Sequence, residues 1–567
     1  MHQPHAEPRR SIYYDYQVFD AWVPSQHPAE QHAPVVIAGA GPIGLVTALA
    51  LAQQGVRCVV LEAERQVSEG SRAIAFTRRS MEILQQVGVA HRVTKNGLPW
   101  NCGNSFYRGQ RVFRMENPHD PDDRFAPLIN IQQQYLEQYL VEACDAHPLV
   151  ALRWGNKLVS FVQDACGATL QVDTAEGPYT LKADWLVAAD GARSAIRALM
   201  ELKLEGASYE GKFVIADIRV DLPLPTERLA FFDPDWNPGN TILMHREPHG
   251  IWRLDYQLPP GETPEEALKP ESIKARIDAQ LAMIGHAGVP WEMDWCSVYS
   301  ARALTLTNYV HGRVLFVGDA AHLLPIFGVR GANTGFQDAQ ALAWRLALVT
   351  RGVAPASLLQ SYSSERVGAA REIIDEAGKS TRFMTPPTRG FRLLRDAVLS
   401  LSLSQPFVGP LYHWRTSRPH EYTRSPLNAA DDDSADFKVG PGHGAPPRNI
   451  RLGHDDFLLD HLDHRFALVI ATDSPIPPDL LAVIEGARAG GPPLQVIAVG
   501  ASEPVPGADK TLSDADGHLS ERHGLRAGGA YLLRPDQHIC ARWTRLDATR
   551  LRAALHTAAG LNTGATA

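Results

Sequence analysis

The sequence predicts an α/β protein of several domains, in which a parallel βαβ core is interrupted by a mainly antiparallel sheet and followed by a smaller α/β module. Three observations carry this prediction. Pro34 to Glu62 reads as a buried strand, a glycine turn, an apolar helix and a second buried strand. From about Glu205 to Gln257, short alternating runs are separated by Pro and Gly. Beyond a stretch dense in Pro, Gly, Ser and Asp, the order becomes strand, helix, strand, hairpin, helix.

Composition bounds what such a chain can do. Its 567 residues leave room for more than one domain, and 44% hydrophobic with 21% charged residues are ordinary globular values. With 55 Lys and Arg against 63 Asp and Glu, there is no basic surplus to neutralise phosphates, so nucleic acid is not expected as a partner. The six cysteines include no CxxC pair, which argues against a disulfide framework or zinc site and for a reducing cytoplasm. No apolar run suggests a secretory leader or a membrane span.

In chain order, a leader (1–32) containing Tyr13, Tyr14 and Tyr16 precedes the first α/β segment (33–200). There VVIA is the strand, Leu45, Leu49 and Ala52 mark the buried helix face, Gly55 ends the helix, and VRCVVLE returns as a strand. The inserted sheet is expected over 201–300, with KFVIADIRVDLP and MHREPHGIWRLDYQL as strands and a hairpin. The first domain resumes over 301–415, where RVLFVGDAAH supplies a strand and Asn333 to Thr350 a long helix. A linker (416–448) leads to the last module (449–567), which runs FALVIA, PPDLLAVIEGARA, LQVIAVG, GAYLLRPDQHICARW and DATRLRAALHTAAGL.

The chemistry begins at Gly39-Ala40-Gly41-Pro42-Ile43-Gly44, between strand and helix. Gly39 permits the tight turn, Gly41 lets a pyrophosphate approach the backbone, and Gly44 lets helix and strand pack closely. Pro42 opens the helix, whose N-terminus offers unpaired N–H groups and a positive dipole end. Glu62 ends the second strand, where a carboxylate can accept hydrogen bonds from a ribose. A glycine-rich turn alone is a weak signal, but strand, helix and terminal carboxylate stand in register for dinucleotide binding.

Three further motifs follow in order: Arg72-Ala73, LVAADGARSAIR with Asp190-Gly191, and RVLFVGDAAH with Gly318-Asp319. Together with GAGPIG they resemble the FAD-dependent aromatic hydroxylases of the p-hydroxybenzoate hydroxylase fold, over about residues 34–410. The resemblance implies a Rossmann-like FAD-binding domain with an inserted substrate sheet. It also implies FAD as cofactor, NADPH or NADH as reductant, and hydroxylation of a small phenolic compound by O2 through a flavin hydroperoxide. Arg72 would face the pyrophosphate and Gln133 the ribityl region. Asp190 and Gly191 would help hold FAD and the incoming nicotinamide, and Asp319 would bind ribityl oxygens. The segment PIFGVRGANTG would pass the flavin ring, with Gly331, Ala332 and Asn333 opening the long helix. Many members begin this loop with two adjacent prolines, whereas here Pro325 is followed by Ile326, so a substrate contact from the second proline is in doubt. Taken singly, Asp190 or Asp319 could equally cap a turn after a buried strand.

His245, Arg246, Arg253 and Tyr256 are the candidates for the substrate pocket, together with Pro325. The strand period puts Arg253 and Asp255 on one face, with Trp252, Leu254 and Tyr256 on the other. Either arginine can bind a carboxylate or phenolate, or pair with a neighbouring acidic side chain. HDDFLLDHLDHRF has the composition of a metal site without its spacing, so no metal centre is expected and a solvated face is the reading; the acidic triplet Asp431–Asp433 is likewise read as solvated. The last module resembles the thioredoxin-like domain of phenol-hydroxylase-type members but carries only Cys540, which excludes dithiol chemistry. A homodimer is a possible assembly. Two alternatives stay open: a flavin-binding scaffold without turnover, and another flavin oxidoreductase on the same fold. Halogenation is disfavoured, since Trp291 to Trp295 does not match WxWxIP.

Overall fold

The computed structural model of the chain describes residues 1–27, 31–325, 327–412, 419–431, 433, 435–514 and 516–561. Its first body is a parallel sheet. Strand His32–Ala38 pairs in parallel with Cys58–Glu62 on one side and Gly177–Ala188 on the other, and Val150–Trp154 continues the sheet beyond Cys58–Glu62. Val314–Phe316 pairs with Gly177–Ala188, so a strand from beyond the antiparallel insert completes this sheet. Residues 35–38, 58–61 and 185–188 of these strands are apolar and buried because helices cover them, among them Pro42–Gln53, Gln133–Asp145 and Gly331–Thr350.

The second sheet has eight strands, in the order His322–Leu323, Trp291–Thr305, Glu205–Val220, Ile251–Gln257, Thr241–Arg246, Arg228–Phe232, Cys102–Tyr107, Gln110–Glu116. Five come from the expected insert, one of them running on to Thr305. The hairpin Cys102–Glu116 joins from far upstream, through a parallel pairing with Arg228–Phe232. Local alternation marks a strand but not the sheet it joins, which is why 201–300 describes only part of this sheet. Helices Pro264–Ala267 and Pro270–Met283 cover one face, burying Ile273, Ile277 and Leu281 against Trp252, Leu254 and Tyr256. The opposite face turns toward the parallel body.

The last module is a five-stranded sheet in the order Lys510–Leu512, Leu494–Val499, Phe466–Ala471, Ala530–Leu533, Ile539–Trp543, with helices Pro478–Arg488 and Ala548–Ala558. Its apolar core includes Trp344 and Leu348 of the long helix, so it packs directly on the parallel body. The stretch read as a linker is partly bound to it. Ala429 N–H donates to the Cys540 carbonyl, and Gly444 and Ala445 hydrogen-bond to Ile539. Asp431 pairs with Arg542 at 3.0 Å and Asp433 with Arg550 at 2.8 Å, so these two carboxylates are not simply solvated; Asp432 lies outside the described residues.

The HDDFLLDHLDHRF segment is in part a docking edge, while His454 and Asp455 are exposed, as a solvated face requires. Asp460 accepts a hydrogen bond from Gln85, and the His464 carbonyl accepts one from Gln54 at 2.5 Å. Among the described residues no group of His, Cys, Asp and Glu is arranged to hold a metal, and no helix is long and apolar enough to cross a membrane.

Candidate functional site

The glycine turn is shaped by what would collide there. Gly39 has φ 108°, and a Cβ on it would lie 2.4 Å from the Ala189 carbonyl oxygen; a Cβ on Gly44 would lie 2.0 Å from the Gly39 carbonyl. Both positions therefore demand glycine. Around a Cβ on Gly41 there is nothing within 4 Å, so this backbone faces open space. Helix Pro42–Gln53 starts here with Gly41 as N-cap, Pro42 in the first turn and no side-chain cap, leaving its first amides available to an anion. Glu62 sits beside them and is pushed up by burial; its oxygens accept the Ala40 N–H at 2.8 Å and the Glu64 N–H at 3.0 Å.

Two aspartates flank this opening. Asp190 takes the Ile196 N–H on Oδ2 at 3.0 Å, so it does cap the short helix Ala195–Leu199, while its Oδ1 is buried without a partner among the described residues. Burial raises its carboxyl. Gly191 follows with φ 75° and open space at its Cβ position. Asp319, after Gly318 (φ 58°), stays accessible within the cleft and hydrogen-bonds to none of the described residues. Enclosure by the cleft walls raises its carboxyl, against the opposing charges of His322, Arg72 and Arg197. The turn is fixed from beneath by Asp338. That carboxylate accepts the Gly318 N–H at 3.0 Å and pairs with His322 and Arg366, each at 2.6 Å. Burial opposes its ionisation, yet Arg366 and His322 outweigh burial and hold Asp338 below the usual carboxylate range.

A second helix N-terminus points at the same opening. Gly331–Thr350 begins without a side-chain cap, and a Cβ on Gly331 would meet nothing within 4 Å. Asn333 does not offer its side chain. Its Oδ1 accepts from Thr77 N at 2.9 Å and Ser80 Oγ at 2.5 Å, and its Nδ2 donates to the Ala75 and Val329 carbonyls. It pins the helix start, leaving backbone N–H groups to face a ligand. Val329 just ahead has φ 61°, a costly conformation for a β-branched residue. Pro325 is buried, and Ile326 lies outside the described residues. Arg72 is exposed, within electrostatic reach of Asp319. Gln133 is committed elsewhere: its amide accepts the Ala73 N–H at 3.0 Å and donates to Glu137 at 2.7 Å.

The other face of the large sheet closes the cleft, its outer row packed against helices Leu358–Met384 and Arg389–Ser402, and the register orders its side chains into rows. In the charged row, Asp217, Arg253 and His245 are cross-strand neighbours, with Arg228 close by. In the middle row Ile215, Asp255, Leu243, Ala230 and Ser105 follow one another across five strands. The outer row includes Phe213 and Phe232, packed with Leu243 and Phe327.

This register corrects the pocket candidates. Arg253 is an internal tie: Nε donates to Asp217 at 2.9 Å, Nη1 to the Arg72 carbonyl at 2.7 Å, and Nη2 to Ser71 and Asp217. Tyr256 lies on the opposite face against Trp236 and the covering helices, and Arg246 also points away, donating to the Leu224 carbonyl at 2.8 Å. Strand alternation forbids Arg253 and Tyr256 from sharing one pocket. His245 does face the cleft. Burial, with Arg228 and Arg253 nearby, keeps its imidazole neutral, and Nδ1 has no partner among the described residues. Sequence reasoning missed Asp217, Asp255, Arg228, Glu247 and Asp338. For Asp217 and Asp255 a signal existed: each is a carboxylate flanked by apolar residues within a mainly apolar strand, VIADIRV or IWRLDYQ.

The donor set fits a dinucleotide: two open helix N-termini, a glycine backbone facing empty space, and two aspartates with unclaimed oxygens. A sequence profile of the FAD binding domain family matches residues 32–377. The chain is 31% identical over 370 residues to the 3-(3-hydroxy-phenyl)propionate/3-hydroxycinnamic acid hydroxylase of Paraburkholderia xenovorans, a match spanning 65% of this chain and 58% of that relative. It is 31% identical over 377 residues to the protein of the same name from Shigella sonnei, spanning 66% and 67%. The structure of the flavin-dependent monooxygenase PieE in complex with FAD and substrate matches with a TM-score of 0.78 over 94% of this chain and 99% of that one, at 24% identity, a likeness of fold.

Proposed function

The chain belongs to the FAD-dependent aromatic hydroxylase family, and from that premise we propose that it hydroxylates a small phenolic compound with O2 and a reduced nicotinamide cofactor. The observation that carries this reading is the juxtaposition of a dinucleotide cradle with a buried sheet face that mixes aliphatic, aromatic and polar side chains. The chemistry FAD supplies when bound is acceptance of two electrons from the nicotinamide and activation of O2 for transfer of one oxygen atom to the ring.

The protein's own residues do the rest. The amides of Gly41 and of the first turn of Pro42–Gln53 would hold the pyrophosphate, Glu62 a ribose, and Asp319 the ribityl hydroxyls. The uncapped start of Gly331–Thr350 would stabilise negative charge on the flavin ring. Phe213, Leu243 and Phe327 would keep water from the reacting atoms. The last module, which we assign a thioredoxin-like fold, supports the site by packing and not by redox chemistry. Its Cys540 is buried and its thiol is pushed up to about 12 by burial.

Purified holoprotein tested against a panel of phenols, with NAD(P)H loss followed and products identified by mass, should show substrate-stimulated oxidation and a product gaining one oxygen. A yellow protein that no phenol stimulates would favour the scaffold alternative.

A further inference from the structure

The middle row of the cleft face holds one anomaly. Its other central members, Ile215, Leu243 and Ala230, are aliphatic, yet between Ile215 and Leu243 stands Asp255. This carboxylate is 8% exposed, and its Oδ1 is buried without a hydrogen-bond partner among the described residues. A carboxylate so placed costs stability unless something answers it. The nearest guanidinium on its own strand cannot do so by hydrogen bonding, because Arg253 spends its nitrogens on Asp217, Ser71 and the Arg72 carbonyl.

The position of Asp255 follows from what anchors the rows on either side. On one side, Arg253 and Asp217 bind Ser71 and Arg72, the segment beside the cofactor cradle. On the other, Phe213 meets Phe327 of the loop preceding Gly331 edge-to-face at 5.4 Å, and Tyr299 Oη donates to the Leu324 carbonyl at 3.3 Å. Asp255 therefore lies between the two segments that flank the expected flavin, on the face turned to it.

We propose that Asp255 is a catalytic residue that accepts the proton of the substrate's phenolic hydroxyl. The inference rests on the aromatic hydroxylase reading above. The phenolic O–H bond breaks, the proton passes to a carboxylate oxygen of Asp255, and the negative charge moves to the phenolate oxygen. No oxidation state changes in this step, and the ring carbons ortho and para to the oxygen become better nucleophiles toward an electrophilic oxygen. The guanidinium of Arg228, two strands away across Thr241–Arg246, lies within electrostatic reach and favours that charge. The charged groups facing Asp255 oppose one another: Arg253 and Arg228 favour its anion, Asp217 disfavours it, Glu247 is a further buried carboxylate in the cluster, and His245 is neutral. Burial dominates and pushes the Asp255 carboxyl up to about 7, a value suited to taking a proton near neutrality.

The test compares FAD-loaded wild type, Asp255→Asn and Asp255→Glu on phenols of graded acidity. In wild type, product formation should rise with pH through about 7. Asp255→Asn should lose about a hundredfold on weakly acidic phenols, the lower end of general acid–base contributions. On phenols already ionised at the assay pH its deficit should shrink to less than about tenfold. Without reductant, bound 4-nitrophenol should show phenolate absorbance at lower pH in wild type than in Asp255→Asn, a readout independent of turnover. Asp255→Glu should keep the rising limb, and it carries the test if the Asn variant fails to load FAD. An unchanged pH profile and rate, or an equal loss on every phenol regardless of acidity, overturns the assignment. Wild type that hydroxylates no phenol overturns instead the reading on which it rests.

Discussion

The cofactor cradle is made almost wholly of backbone, whereas the sheet face opposite it is made of side chains. At the cradle the decisive features are a positive φ at Gly39, empty space at Gly41, and two helices that begin without side-chain caps. On the sheet face they are an ion pair between Arg253 and Asp217, a neutral His245 and an unpaired Asp255. A backbone site needs specific residues at specific spacings, because only glycine fits and only a strand-to-helix turn aims the amides. A side-chain site needs only that the right residues meet across strands, and many sequences achieve that.

Substitutions sharpen this contrast. The largest effect is expected for Gly39→Ala, which combines a disfavoured φ with a contact to the Ala189 carbonyl; the variant should lose folded yield and FAD together, read by flavin absorbance per protein. Arg253→Ala leaves Asp217 buried and uncompensated and should cost about 3–5 kcal/mol, measured by denaturant unfolding. A raised Michaelis constant with unchanged stability would return Arg253 to the substrate pocket. Asp319→Ala should weaken FAD retention by an order of magnitude or more, since a hydrogen bond to a charged group is worth about 1.5–3 kcal/mol. Gly41→Ala should leave the unfolding midpoint of the apoprotein unchanged while lowering FAD affinity, because its Cβ enters space that only a ligand would fill. Smallest is Tyr256→Phe, expected within about 1 kcal/mol in stability and without effect on substrate affinity.

The same contrast explains what could be read in advance. GAGPIG, Asp190-Gly191 and Gly318-Asp319 were legible because each is a turn with a glycine at positive φ, whereas GANTG opens a helix and was legible only by its resemblance to the family's loop. The pairing faces of the hairpin Thr241–Gln257 were also legible, yet choosing pocket residues from both faces ignored what the alternation implied. The hairpin Cys102–Glu116 could not be placed, since its partner strand lies more than a hundred residues downstream and pairing leaves no local mark. Asp338 was invisible for a related reason: a single Asp on an amphipathic helix looks solvated until Arg366 and His322 are brought beside it.

The proposed reaction delivers an oxygen atom from O2, at the cradle's cofactor, to an aromatic guest held against the sheet face. Turnover of a phenol under isotopically heavy O2, with the product weighed by mass spectrometry, tests it most directly. Each product molecule should carry one heavy oxygen atom; a product whose new oxygen comes from water, or no oxygenated product at all, overturns this reaction.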